Sequence, residues 1–213
     1  MNYKVIKPEQ LDNFSQYQWF GTFSNPCYGF NVKCDVTEVL NVSKSTNTSF
    51  FVNTLYLVTT ALNQIPAMRM RQVGNEIRLY DVINPTFTVM TDSGQFDKAG
   101  FKMKDDYSAF YAAAKKVLNE TAHESTIADS YNDADTFDDY YITVEGMQHP
   151  LPNGNSESSS VPRVCWDKFR PEGDKIVFTL NITVSHCFVD GKRLCQAFDT
   201  IQNCFANAQN LLK

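Results

Sequence analysis

The chain has 213 residues, 43% of them hydrophobic and 20% charged, and carries a net charge of −5 at neutral pH. That length suffices for a substantial core, and the acidic balance argues against nucleic acid as the main partner. No run approaches the 18 uninterrupted apolar residues of a membrane span, so no membrane partner is expected.

The opening residues, Met1 to Pro8, lack an apolar signal core, which predicts a cytoplasmic protein. Cys27 to Val36 then holds short strand-like runs. Phe51, Leu55, Val58, Leu62 and Ile65 recur at helical spacing, with Ser45 to Thr48 as the caps and Pro66 as the stop. Gly74-Asn75 reads as a turn before an alternating strand over Glu76 to Val82. Thr86 to Met90 reads as a second strand after Pro85. Tyr107, Phe110, Tyr111, Ala114, Val117 and Leu118 form another helical stripe. Asn132 to Asp139 is an acidic run, read as a solvated loop rather than a metal site, and Pro150 to Ser160 is a polar surface loop. The six cysteines (Cys27, Cys34, Cys165, Cys187, Cys195, Cys204) show neither C-x-x-C nor zinc-ligand spacing, so reduced thiols and no metal are expected. No break in composition divides the chain, which predicts a single domain over residues 1–213.

The most informative stretch is His186-Cys187-Phe188-Val189-Asp190-Gly191. Before it, Ile176, Phe178, Leu180, Ile182 and Val184 alternate as a strand with one buried face. His186 continues that phase, so its imidazole is expected to point inward from the strand end. Asp190-Gly191 reads as a turn in which Gly takes a positive φ. After it, Leu194, Phe198, Ile201, Phe205, Ala208 and Leu212 mark a helix. Such a site suits a rigidly held general base. It suits equally a partly buried, hydrogen-bonded structural histidine beside a turn.

The segment from Ser185 to Gly191, with the Glu172-Gly173-Asp174 turn upstream, resembles the closing block of the classical, trimeric chloramphenicol acetyltransferases. Three further blocks are similar to that family in order and spacing: Met68-Arg69-Met70 with Glu76 to Asp81, Asn84 to Met90, and Trp19-Phe20 through Cys27-Tyr28-Gly29-Phe30 to Thr37. The resemblance implies an α/β two-layer sandwich, a mixed and largely antiparallel sheet covered by helices, the fold of CoA-dependent acyltransferases. It implies a homotrimer whose active site lies between subunits. It also implies transfer of acetyl from acetyl-CoA, as co-substrate, to a small hydroxylated acceptor, with chloramphenicol the leading candidate.

In that comparison His186 takes the place of the general base, and Thr143 that of the hydroxyl donor to the oxyanion. Asp190 takes the place of the carboxylate that braces the histidine loop. Cys27, Phe30, Phe87 and Met90 fall where the family lines its acceptor pocket, and Cys165 replaces a second threonine. The family arginine that pairs with the Asp190 position aligns with Gln16, leaving Asp190 to backbone N–H groups or another side chain. Lys192-Arg193 replaces a more apolar pair, its charges set for nucleotide phosphates or for solvent. The open alternatives are another acceptor, the catalytic domain of a dihydrolipoyl acyltransferase, and a non-catalytic binding module on the same fold.

Overall fold

A computed structural model describes residues 2–123, 141–144 and 160–213, with 141–144 known by their backbone alone. The acidic run at 132–139 and the loop at 150–159 lie outside the described residues.

The chain opens with β1 (Tyr3–Ile6) and a 3-10 turn at Pro8–Gln10, followed by α1 (Phe14–Phe20). Next come β2 (Cys27–Asp35), α2 (Thr37–Thr46) and α3 (Phe50–Asn63). Asn47 ends α2 in the left-handed conformation (φ 55°), a habitual helix-stop geometry for Asn. Ser49 then caps α3 by accepting from the Val52 N–H. The expected cap at 45–48 is therefore corrected: Ser45 and Thr46 belong to α2, whose short apolar face (Val39, Leu40, Val42) gives a weak periodic signal.

A second 3-10 turn, Pro66–Arg69, leads into β3 (Met70–Val73), β4 (Glu76–Tyr80), β5 (Asn84–Met90) and β6 (Phe96–Gly100). Then follow α4 (Tyr107–His123), β7 (Tyr141–Val144), β8 (Arg163–Trp166), β9 (Arg170–Glu172) and β10 (Lys175–Ser185). The last elements are α5 (Gly191–Ala206) and α6 (Ala208–Leu211). The single C-terminal helix expected from the sequence is thus interrupted at Asn207. Its apolar stripe nevertheless continues through the break, with Ala208 and Leu212 both buried.

β1, β4 and β3 form a small antiparallel sheet. The main sheet has seven strands in the order β2-β10-β8-β7-β5-β6, with β9 also on β10. The β5–β7 and β7–β8 pairs are parallel and the others antiparallel, the mixed, largely antiparallel sheet expected. Phe178, Leu180, Ile182 and Val184 bury the inner face of β10 against Leu194, Ile201 and Phe205 of α5 and Leu55 and Leu62 of α3, in one continuous core. β2 and β10 approach so closely at Gly29 that a Cβ there would lie 2.4 Å from the Ile182 carbonyl oxygen, so only glycine fits.

Candidate active site

β10 delivers His186. The His186 N–H donates to the Pro26 carbonyl (2.9 Å), extending the β10–β2 ladder one rung past Ser185. The chain then turns back at once, the Phe188 and Val189 N–H groups both donating to the Ser185 carbonyl. The turn therefore lies at 186–188, earlier than the sequence reading put it. Gly191 opens α5, and among the described glycines positive φ occurs only at Gly74, Gly94 and Gly173. Asp190 is the N-cap of α5, its carboxylate accepting from the Arg193 N–H (2.8 Å).

The half-buried His186 imidazole is sandwiched between two rings. Phe20 of α1 stacks on one face at 3.9 Å between centroids and 9° between planes, and Tyr28 of β2 on the other at 4.2 Å and 24°. Nδ1 is buried and has no hydrogen-bond partner among the described residues. A buried ring nitrogen without a protein partner is uncommon in a structural histidine.

The turn itself is held from two sides. Asn13, at the start of α1, donates its side-chain N–H to the Cys187 carbonyl (3.1 Å), and the Tyr28 hydroxyl donates to the Val189 carbonyl (3.1 Å). Asp190 has no contact from Gln16, which lies exposed on α1. Its partner is Arg193, one turn along α5, through Nη1 at 2.5 Å, while Nη2 of the same side chain donates to Asp12 at 3.1 Å. In this chain Arg193 thus pairs with two carboxylates, the partly buried Asp190 and the exposed Asp12. The side-chain partner anticipated for Asp190 is found.

Electrostatics at this end of the sheet keep the neighbours neutral. Burial, then the Asp190 charge, pushes the Tyr28 phenol up to about 12. Burial also raises the Cys27 and Cys187 thiols, in Cys27 against the opposing pull of Arg163, so neither offers a ready thiolate beside His186.

The remaining expected site residues are spread over the sheet. Gly29, Thr183, Arg163, Thr143, Thr86 and Gly100 share one rung. Thr143 thus lies two strands across from β10 and three residues back from His186. Strand spacing and rise place the two backbones about 14 Å apart, out of direct contact within one chain. Cys27 pairs with Ser185 at the His186 end, Phe30 is a partly exposed neighbour of Tyr28 on β2, and Cys165 is half-buried on β8 opposite Asn181. Phe87 has no exposed surface, being packed against Phe51 and Phe101, whereas Met90 is 69% exposed at the far end of β5. These two do not converge with Cys27 on one pocket in the single chain.

The sequence reading quoted Phe20 and Tyr28 within a motif without giving them a part, and it missed Asn13. The available signal was the antiparallel register, which sets Tyr28 across from Val184. All six cysteines lie among the described residues and none is in a disulfide. Among the described residues no cluster of His, Cys, Asp and Glu is arranged to hold a metal, and no helix is long and apolar enough to cross a membrane.

The profile of the family described as chloramphenicol acetyltransferase matches residues 1–202. The chain belongs to the chloramphenicol acetyltransferase family. That makes it a member of an acetyltransferase family, and individual relatives agree. It is 24% identical over 187 residues to chloramphenicol acetyltransferase 2 of Escherichia coli, covering 82% of this chain and 84% of that protein. It is 20% identical over 210 residues to the chloramphenicol acetyltransferase of Proteus mirabilis, covering 93% and 92%. In fold it is similar to a solved chloramphenicol acetyltransferase, with a TM-score of 0.85, 20% identity, and coverage of 96% of this chain and 100% of that one. A probable dihydrolipoamide acetyltransferase from Listeria monocytogenes aligns with a TM-score of 0.62 at 13% identity, covering 95% and 93%.

Proposed function

We propose that the protein transfers an acetyl group from acetyl-CoA to a hydroxyl of a small amphipathic alcohol, with chloramphenicol the leading acceptor and His186 the general base. The observation that carries this reading is the state of the imidazole. Its plane is clamped by Phe20 and Tyr28, and its Nδ1 is buried without a partner among the described residues, leaving Nε2 as the nitrogen that works. Nε2 takes the acceptor's proton as the hydroxyl oxygen attacks the thioester carbonyl. The Thr143 hydroxyl donates to the oxyanion that forms. Collapse of the tetrahedral intermediate expels the CoA thiolate, which recovers the proton from the imidazolium. No protein nucleophile is needed, in keeping with the raised Cys27 and Cys187 thiols.

Asp190 acts through the loop rather than on substrate, its negative charge spent on Arg193 and the α5 N-terminus. The working form is a homotrimer in which His186 faces a neighbouring subunit across the acceptor pocket, with Cys27 and Phe30 of β2 at its edge and Phe87 left in the core. Two features support this. Thr143 lies about 14 Å from His186 in its own chain by strand geometry, and Trp19, Phe23 and Phe30 expose 62%, 45% and 39% of their surface close to the His186 stack.

The test is release of CoA thiol from acetyl-CoA, with and without chloramphenicol, by the wild type and His186→Ala. A general base contributes about 10²- to 10⁴-fold in rate, so the variant should lose that much while keeping fold and assembly. Full activity in the variant would remove His186 from the mechanism. Thiol release with other alcohols but not chloramphenicol would replace the acceptor.

A further inference from the structure

Beside the His186 turn, lined by Phe188 but by neither Phe20 nor Tyr28, lies a groove of about 500 Å³ between β1, the residues leading into α1, the turn after α3 and the start of α5. Its floor is apolar, formed by Leu11, Ile65, Ala67 and Phe188, all buried. Its polar groups are Lys4, Asp12 and Arg193, with amides at the rim.

The charge arrangement is unequal. The Arg193 side chain is only 26% exposed and anchored to Asp190, whereas its second partner, Asp12, is 87% exposed. An ion pair held by so exposed a carboxylate contributes little, so Asp12 occupies the guanidinium loosely. Lys4 is exposed on the same groove and makes no ion pair among the described residues.

We propose that this groove binds an aliphatic monocarboxylate. Its chain lies on Leu11, Ile65, Ala67 and Phe188, and its carboxylate displaces Asp12 from Arg193 Nη2 with Lys4 as a second cation. The volume lies in the range of small-molecule sites, and an apolar floor with few convergent polar groups is the usual composition of one. One negative charge is the right number. Once the exposed Asp12 swings out to solvent, Arg193 and Lys4 face Asp190 and one added carboxylate, two charges of each sign, whereas a dianion would leave an excess negative charge beside Asp190.

The experiment is calorimetric titration of the full chain, saturated with acetyl-CoA, with decanoate and, in parallel, decanol. Decanoate should bind, and decanol about tenfold or more weakly, because it cannot form the charge-assisted bond to Arg193. Asp12→Asn should tighten decanoate several-fold by removing its competitor, and Arg193→Gln should weaken it about tenfold or more. Equal binding of decanol, no heat with decanoate, or an Asp12→Asn affinity unchanged from wild type would each overturn the proposal. Acetyl transfer is not read here, so the outcome is independent of the role given to His186.

Discussion

The ring of Phe20 lies flat on the imidazole of His186, 3.9 Å away and 9° from parallel. Phe20 belongs to α1 and His186 to the end of β10, so this one contact joins the two parts of the chain that shape the site. If the stack holds Nε2 in line, Phe20→Ala should lower kcat for acetyl transfer by about tenfold to a hundredfold, the scale of a misplacement of about 1 Å. KM for acetyl-CoA should be unchanged, and Phe20→Tyr should retain most activity. Steady-state kinetics of the two variants check this, and equal rates for all three proteins would count against the stack.

Arg193 joins the helix after the His186 turn to Asp12, which precedes α1. Arg193→Ala should therefore loosen the turn, reducing kcat about tenfold, the equivalent of one charge-assisted hydrogen bond. Arg193→Lys should recover part of the loss, since it keeps the charge while losing the two-pronged geometry. A rate unaffected by the alanine would mean that Asn13 and Tyr28 suffice to hold the turn.

Asn53 is fully buried on α3 and donates to Ser43 and Thr48 while accepting from Tyr107, which ties α2, α3 and α4 together. Asn53→Ala strands those partners in the core. The expected cost is about 1–3 kcal/mol, or more where the network is cooperative. Denaturant unfolding, compared at constant m-value, measures it.

Asp35 gives a pH-dependent prediction. Burial alone would raise its carboxyl, but the bonds from the Thr37 hydroxyl and N–H, together with Lys175, outweigh it and hold the pKa below the usual carboxylate range. A depressed folded-state pKa stabilises the fold above the unfolded value near 4, and that contribution is lost as pH falls through the lowered folded value. Asp35→Asn should thus be less stable than wild type at pH 7, with the gap closing below about pH 4. Melting temperatures across pH 3–7 would show a constant gap if Asp35 were not the cause.

The cysteines should label in order of exposure. Cys195 is exposed on α5, while burial pushes the Cys34 thiol up to about 12 and also raises the Cys187 and Cys204 thiols. Iodoacetamide at pH 8 should modify Cys195 first and leave Cys34 intact until the protein unfolds, as peptide mass spectrometry would show. Early labelling of Cys34 would contradict its burial.

The elements most legible in the sequence were those with one wet and one dry face. Alternation along β10 and the stripe of α5 placed His186 at the junction of a strand and a helix. α1 gave no such signal, because none of its residues is buried and its aromatic rings lie partly on the surface. Of the small sheet only its central strand β4 was read, since β1 and β3 are four-residue edge strands. Within the site, the Asp190–Arg193 pair spans one helical turn and was open to inspection. The link from Arg193 to Asp12 crosses 181 positions, and no local pattern encodes it. Phe87 was aligned to a pocket position but packs into the core, because a strand residue with rings on both sides has no surface left to offer.

β10 is the hub of the main sheet, bordered by β2, β8 and β9, and its union with β2 joins residues as far apart as Cys27 and Ser185, 158 positions along the chain. During synthesis, β2 leaves the ribosome long before its partner exists and must wait with its hydrogen-bonding edge unfilled. Pairings of such long span are slow to form and leave strands open to the wrong neighbour. The strand that delivers His186 is therefore also the one whose late arrival closes the sheet, so a nascent chain cut short before β10 would have neither a finished core nor a histidine to place.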